Sequence, residues 1–438
     1  MNREILRLAL PNIISNITVP LMGIASTAIA GRIGGDSAAA TIGALSIGVA
    51  IFNFIYWNCS FIRMGTSGLT AQAFGAEDFR TTTAMLVRAV AVSVALGAVI
   101  LILQYPLGEL SLWMMNGTQI VSDYFYARIW AVPAGIMLFG LNGWFTGMQN
   151  AVIPMCTSVF INILHVLLSL WFVFGCNMGI VGIAYASVVS QWSGMILSVV
   201  LLVIFFRHTL VKVEVSQILD LSSLKEFFAV NRDIIIRTFC IVAVYTFFTA
   251  ASARMDSATI LAVNTMLMQL FTLFSYMNDG FAYAAEALTG RFIGAKDIAS
   301  LRSCLKRCVV WAMGTAVVCI TIYVGWWQDI FSLFVGDTSS LPQILAVAEE
   351  YIGWVIAVPV AAALPFLMDG IMVGATLTRI LRNSMLVSTA AYFAIYYCLT
   401  PIIGNNALWL AFTAYMAIRG VAQYYMSHSL KDVYDKAL

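Results

Sequence analysis

About twelve apolar stretches, each close to 20 residues or longer, recur along this chain, and they leave it few folds to choose from. A window of approximately 19 residues places them near 11–31, 42–64, 84–104, 124–146, 153–175, 179–205, 234–253, 258–290, 308–326, 346–375, 384–402 and 407–427. Lipid offers the backbone no hydrogen-bond partner, so each run must satisfy its own N–H and C=O groups, and for runs of this length that means helices. The expected fold is an all-α polytopic membrane protein with twelve transmembrane helices. Composition agrees: 61% of residues are hydrophobic and 10% charged, against roughly 45–50% and 25% in soluble domains. The first apolar run follows Arg3 and Arg7 and is too long for a signal-peptide core, so it reads as the first span.

A net charge of +2 is too small to suggest nucleic acid as a partner. The eight cysteines are scattered, with no CxxC and no histidine cluster, so neither a disulfide framework nor a metal site is indicated. The basic residues fix orientation. With the N-terminus cytoplasmic, that side collects Arg3, Arg7, Arg80, Arg207, Lys212, Arg302, Lys306, Arg307, Arg379, Arg382 and others, while the opposite side keeps Arg32 and Arg254, with Arg128 placed there too. Loops rich in Lys and Arg stay inside, so both termini are expected in the cytoplasm.

The polar segment 207–232 reads as a cytoplasmic linker between an N-lobe at 1–206 and a C-lobe at 233–438. Its Ile218, Leu221, Leu224, Phe227 and Phe228 suit either an amphipathic helix on the membrane surface or a soluble linker with some helix. An internal repeat supports the halving. GLTAQAFGAEDFR at 68–80 matches ALTGRFIGAKDIA at 287–299, and the same register sets Asn12 against Asn231 and Ser67 against Glu286. Pro133 and Pro359 also correspond, as do Gly143-x3-Gly147 and Gly370-x3-Gly374. Each half holds an even number of spans, so the repeats enter the membrane in the same direction, an arrangement found among secondary transporters.

The stretch 276–297, YMNDGFAYAAEALTGRFIGAKD, concentrates the candidate chemistry. Asp279 and Glu286 are spaced to face the same way on a helix, drifting by only ~20°, and Tyr283 lies on that stripe. A carboxylate at the bilayer centre costs roughly 2.5–3.5 kcal/mol even on a lenient scale. A pair on one face therefore points to an ion- or proton-binding cavity, the alternative being two acids near opposite helix ends that reach for headgroups. Asp233 and Arg237 stand in the favourable i, i+4 order and read as a tuning pair or a structural ion pair. Asp369 follows Pro359 and Pro365, which permit a bend and open a cavity to its carboxylate. In the first half no acid lies at membrane depth: Glu4, Asp36, Glu77, Asp78, Glu109 and Asp123 fall in loops or at helix ends. It offers neutral groups instead, among them Ser26, Asn142, Asn162, His165 and Ser169, which suit interhelical hydrogen bonds as readily as a cavity.

LALPNIISNITVPLMGIASTAIAGRIGG at the start, NRDIIIRT at 231–238, NDGFAYAAEALTGRFIGAKD at 278–297, MDGIMVGATLTRILRNSML and ALWLAF at 407–412 together resemble the multidrug and toxic compound extrusion (MATE) transporters, in particular their DinF-like branch. The resemblance spans the chain. It implies two pseudo-symmetric six-helix lobes in the cell (inner) membrane that alternate between inward-open and outward-open states. It also implies a monomer with no cofactor and no enzymatic activity. The activity implied is efflux of organic, cationic or amphipathic compounds in exchange for H+ or Na+. The sequence departs from the family where its first helix carries an aspartate, here Ser26, and where its fifth carries an Asn and an Asp, here His165 and Ser169. The N-lobe cation site is thus without carboxylates, and cation or proton coupling is expected at Glu286, Asp369, Asp279, Asp233 and Arg237. The substrate cavity is expected to involve Ser26, Asn162, His165, Ser169 and Tyr283. A lipid-linked saccharide flippase of the same architecture is the alternative, although it would want a more basic cavity. A membrane-embedded transferase with His165 as base would need further polar partners around that residue.

Overall fold

A computed structural model describes residues 1–33, 38–115, 117–218, 220–255, 257–335 and 341–438. Asp36, read above as a loop acid, lies outside them. The chain is all-α. In order its helices are α1 (Asn2–Gly31), α2 (Ala38–Cys59), α3 (Phe61–Gly75), α4 (Phe79–Ile102), α5 (Gln104–Met114), α6 (Gln119–Arg128), α7 (Val132–Gly147), α8 (Val152–Leu170) and α9 (Gly179–Phe206). They continue as α10 (Val215–Ile218), α11 (Leu221–Ala253), α12 (Ala258–Gly294), α13 (Ile298–Val335), α14 (Leu341–Tyr351), α15 (Trp354–Gly374), α16 (Thr378–Ile403), α17 (Asn405–Met426) and α18 (Lys431–Asp435).

Among the described residues, 11 spans are long and apolar enough by composition to cross a membrane. The twelfth is α17, whose 22 residues suffice in length but include Asn405, Asn406, Arg419 and Gln423. The first, seventh and ninth spans begin earlier than expected, at Asn2, Leu224 and Ile298, and two others differ as well. The second, expected to end near 64, continues through α3 to Gly75, because Thr66, Ser67 and Thr70 are small enough to be buried within the bundle. The tenth, expected as one run over 346–375, breaks at Gly353 into α14 and α15, where a residue without Cβ gives a helix least support.

Contacts divide the chain into two compact units, 14–231 and 1–13 with 232–438. The first thirteen residues thus belong with the second unit. Glu4 pairs with Arg291 at 3.3 Å, and Gly280 leaves room against the Ala9 carbonyl and Ile13. In the same way, the start of α11 belongs with 14–231, where Asn231 fills the space beside Gly65. The core of 14–231 gathers Phe52, Tyr124, Phe125, Ile136 and Ile183. That of the other unit is richer in rings, with Phe248, Phe271, Phe274, Trp409, Phe412 and Tyr415 packed together.

The sequence repeat is also a repeat of local geometry. Glu77 (φ 58°) and Lys296 (φ 55°) both turn left-handed between two helices, and the aspartate after each caps the next helix. Asp78 accepts from the Thr81 amide at 3.0 Å and its hydroxyl at 2.6 Å; Asp297 accepts from the Ser300 amide at 2.9 Å. Burial alone would raise Asp78, but the bonds from Thr81 outweigh it and hold the carboxyl below its usual range. The bonds from Ser300 do the same for Asp297. Asn12 and Asn231 each donate to the carbonyl four residues back, at 2.8 Å in both cases. The glycine pairs match as well. A Cβ on Gly143 or Gly147 would run into the carbonyls of Arg63 and Ser67 on α3, and one on Gly370 or Gly374 into those of Ala282 and Glu286 on α12.

Candidate functional site

Close packing of α15 on α12 through Gly370 and Gly374 holds Asp369 inside the second unit. Pro359 and Pro365 lie within the same helix, and Asn278 on α12 donates to the Ala363 carbonyl at 3.1 Å between them. The Asp369 carboxylate gathers three donors from two other helices onto its two oxygens. Oδ1 accepts from Gln423 Nε2 at 2.6 Å. Oδ2 accepts from Arg419 Nη2 at 2.7 Å and also from Arg237 Nη2. Arg419 and Gln423 are one turn apart on α17 and share a face, while Arg237 reaches in from α11. Phe366 lies under the Arg419 guanidinium, 5.2 Å from its ring centroid. Asp369, Arg419 and Gln423 are at most 4% exposed. Charge-assisted bonds of this kind are the strong ones, and here two cations converge on one anion. A metal ion approaching Asp369 must displace a guanidinium. A proton would instead remove the charge that both arginines face.

The expected pairing of Asp233 with Arg237 gives way to a pair with the adjacent Arg232 and one that leaves the helix. Asp233 binds Arg232 at 3.0 Å and Arg382 on α16 at 2.8 Å, with the Thr378 hydroxyl at 3.3 Å. Arg237 turns to Asp369, whose buried charge has no exposure to water to relieve it. Glu286 is buried on α12 at the level of Gly374, whereas Asp279 and Tyr283 on the same helix are half-buried. Arg419 and Gln423 were not among the residues expected from sequence. The available signal was an arginine well inside the last span, which a bilayer tolerates only with a partner.

In the unit 14–231, the structure brings together three positions at which the sequence departs from the MATE pattern. Ser26 Oγ on α1 lies 3.1 Å from His165 Nε2, Ser169 Oγ lies 3.5 Å from the same nitrogen, and Ser187 Oγ on α9 is 3.4 Å from Nδ1. All four side chains are buried. A hydroxyl can donate or accept, so this cluster satisfies the imidazole without any carboxylate. Asn162 stands apart from it and donates to Thr18 Oγ1 at 2.7 Å. Tyr283 belongs to the other unit. No group of three or more metal-ligating side chains occurs among the described residues.

Two six-helix repeats built around buried ionisable and hydrogen-bonding groups define a polytopic secondary transporter. The chain belongs to the MatE family, whose model matches residues 11–171 and again 234–406. DNA damage-inducible protein F of Escherichia coli (strain K12) is 33% identical over 425 residues, covering 96% of this chain and 91% of that one. Protein DETOXIFICATION 45, chloroplastic, of Arabidopsis thaliana is 24% identical over 453 residues, covering 96% and 77%. A solved structure of a MOP superfamily transporter from Pyrococcus furiosus is similar with a TM-score of 0.83 at 16% identity, covering 99% and 96%, a likeness of fold.

Proposed function

We propose that this protein is an antiporter of the cell (inner) membrane, with both termini cytoplasmic, that exports amphipathic or cationic organic compounds in exchange for H+ or Na+. The observation that carries the reading is the convergence of Arg237, Arg419 and Gln423 on Asp369. Protonating or otherwise neutralising that carboxylate removes the anion common to α11, α15 and α17, so those helices lose their reason to stay in one arrangement. A ligand shifts a two-state equilibrium only through its unequal affinity for the states, and a proton on Asp369 supplies that inequality. Glu286, buried on the helix against which α15 packs, is the second coupling carboxylate. Asp279 lies on the same helix, and Asp233 with Arg382 closes the cytoplasmic end. On the substrate side, Ser26, Asn162, His165 and Ser169 are the proposed contact residues of the unit 14–231, and Tyr283 that of the other unit.

The test is dye efflux from reconstituted vesicles under a pH gradient and a sodium gradient imposed separately, with Glu286→Gln and Asp369→Asn beside the native chain. One gradient should drive transport, and both variants should lose it. Coupled transport that survives both substitutions overturns the coupling site.

A further inference from the structure

Arg128, counted from sequence among the charges of the non-cytoplasmic side, falls instead nine residues inside an apolar candidate span, and the coupling scheme leaves it unused. It ends α6, about 14 Å along the helix from Gln119 at 1.5 Å per residue, within the apolar span Gln119–Gly147. Its Nη1 donates to Tyr124 Oη at 2.6 Å. Its Cζ lies 4.8 Å from the centroid of Phe52 and 5.6 Å from that of Tyr124. Among the described residues it has no ion pair, and its Nε is buried without an acceptor. Asp123, the acid in the same span, is exposed and bonded to Gln119 at 2.8 Å.

Its neighbours across α9 are neutral too. Ile180, Ile183 and Ala184 of α9 share a core with Tyr124, Phe125 and Ile129, and the next turn of α9 carries Ser187 to His165. The contrast with Arg237 and Arg419, both turned to Asp369, is direct. A guanidinium stays charged at any accessible pH, and aromatic faces compensate only part of its lost hydration. Phe52 and Tyr124 are buried, so they support the group from behind. Arg128 itself is only half-buried, and its remaining N–H groups are what a ligand meets. Five donors in a planar fork fit an oxyanion.

We infer that Arg128 is the recognition point for an anionic group, a carboxylate or a sulfonate, on an amphipathic organic substrate. The inference rests on the efflux reading and narrows its substrate class: at this point the cavity selects for negative charge, so pure cations gain nothing from it.

The experiment is equilibrium binding to the full chain in phosphatidylcholine nanodiscs with no gradient, using 2-naphthoate and (2-naphthyl)trimethylammonium, which share one ring system. Arg128→Gln should weaken naphthoate about tenfold or more and leave the ammonium within about twofold. Arg128→Lys, which keeps the charge but loses the planar fork, should fall between the native chain and Arg128→Gln in naphthoate affinity. Absence of saturable naphthoate binding to the native chain, or equal loss of both ligands in Arg128→Gln, overturns the proposal. So does displacement of naphthoate by anionic lipid added to the discs in an Arg128-dependent way, which would make the site one for a lipid headgroup. Because no gradient is imposed, the result is independent of coupling at Asp369, and failure of one reading is separable from failure of the other.

Discussion

The two halves of this chain repeat a backbone but not its charges. The glycine seats on α7 and α15, the left-handed turns at Glu77 and Lys296 and the aspartate caps that follow them are shared. At corresponding seats the first half then carries Ser67, Asn142 and Thr18 where the second carries Glu286, Asp369 and Arg237. The first half seats α7 on α3 through Gly143 and Gly147 without a carboxylate at these positions. Buried ion pairs are weak evidence for stability, since apolar replacements often do as well. Under the proposed coupling, the second unit gains from its charges a site whose state changes with a proton, and the first unit carries no carboxylate at the corresponding seats.

The largest test of the contrast is Asp369→Asn, which leaves Arg237 and Arg419 facing a neutral amide. Breaking a buried pair from one side costs about 3–5 kcal/mol. Asn142→Ala at the corresponding seat should cost far less, about 1 kcal/mol or below, because the Asn142 Oδ1 has no hydrogen-bond partner among the described residues to lose. Thermal unfolding in detergent compares the two; equal losses would mean that the charged seat is ordinary packing.

Next come the glycines. Gly374→Ala and Gly147→Ala should each cost about 1–3 kcal/mol, because a Cβ meets a backbone carbonyl that cannot swing aside. Similar losses would sharpen the comparison by showing that the two halves share a backbone seat independent of charge. A loss in one half alone would break it.

The smallest effect belongs to the caps. Asp78→Ala should cost about 1 kcal/mol, the usual worth of an N-cap. The carboxyls of Asp78 and Asp297 are held below their ordinary values in the folded chain. Their stabilisation is therefore complete above the ordinary carboxylate range and lost as pH falls through the lowered folded values. Unfolding followed from pH 6 downward, with and without Asp78→Ala, should show the two curves converging in acid; a constant gap would refute the assignment.

Much of this arrangement was legible beforehand. Helices, span count and parallel repeats follow from apolar length and a matched stretch of sequence. Each of these is a local property or a comparison of the chain with itself. The site was legible only as a set of unlikely residues. Asp369 and Glu286 stood out because carboxylates are expensive in lipid, and Ser26, His165 and Ser169 because they depart from the pattern of the family. Arg419 and Gln423 did not, and Arg237 was matched to the wrong acid, since a pairing rule based on i, i+4 spacing sees one helix at a time.

Sequence alone determined that this chain is a membrane-spanning bundle of two repeated halves, because a bilayer leaves the backbone no other way to satisfy its hydrogen bonds. Tertiary structure decided which charges meet: Asp369 with Arg237 and Arg419, 132 and 50 residues away along the chain, Asp233 with Arg382, and Arg128 with aromatic rings and, among the described residues, no anion. Those choices depend on which helix faces pack together, and a buried charge takes whichever opposite charge the packing brings within reach, however far away it is in sequence.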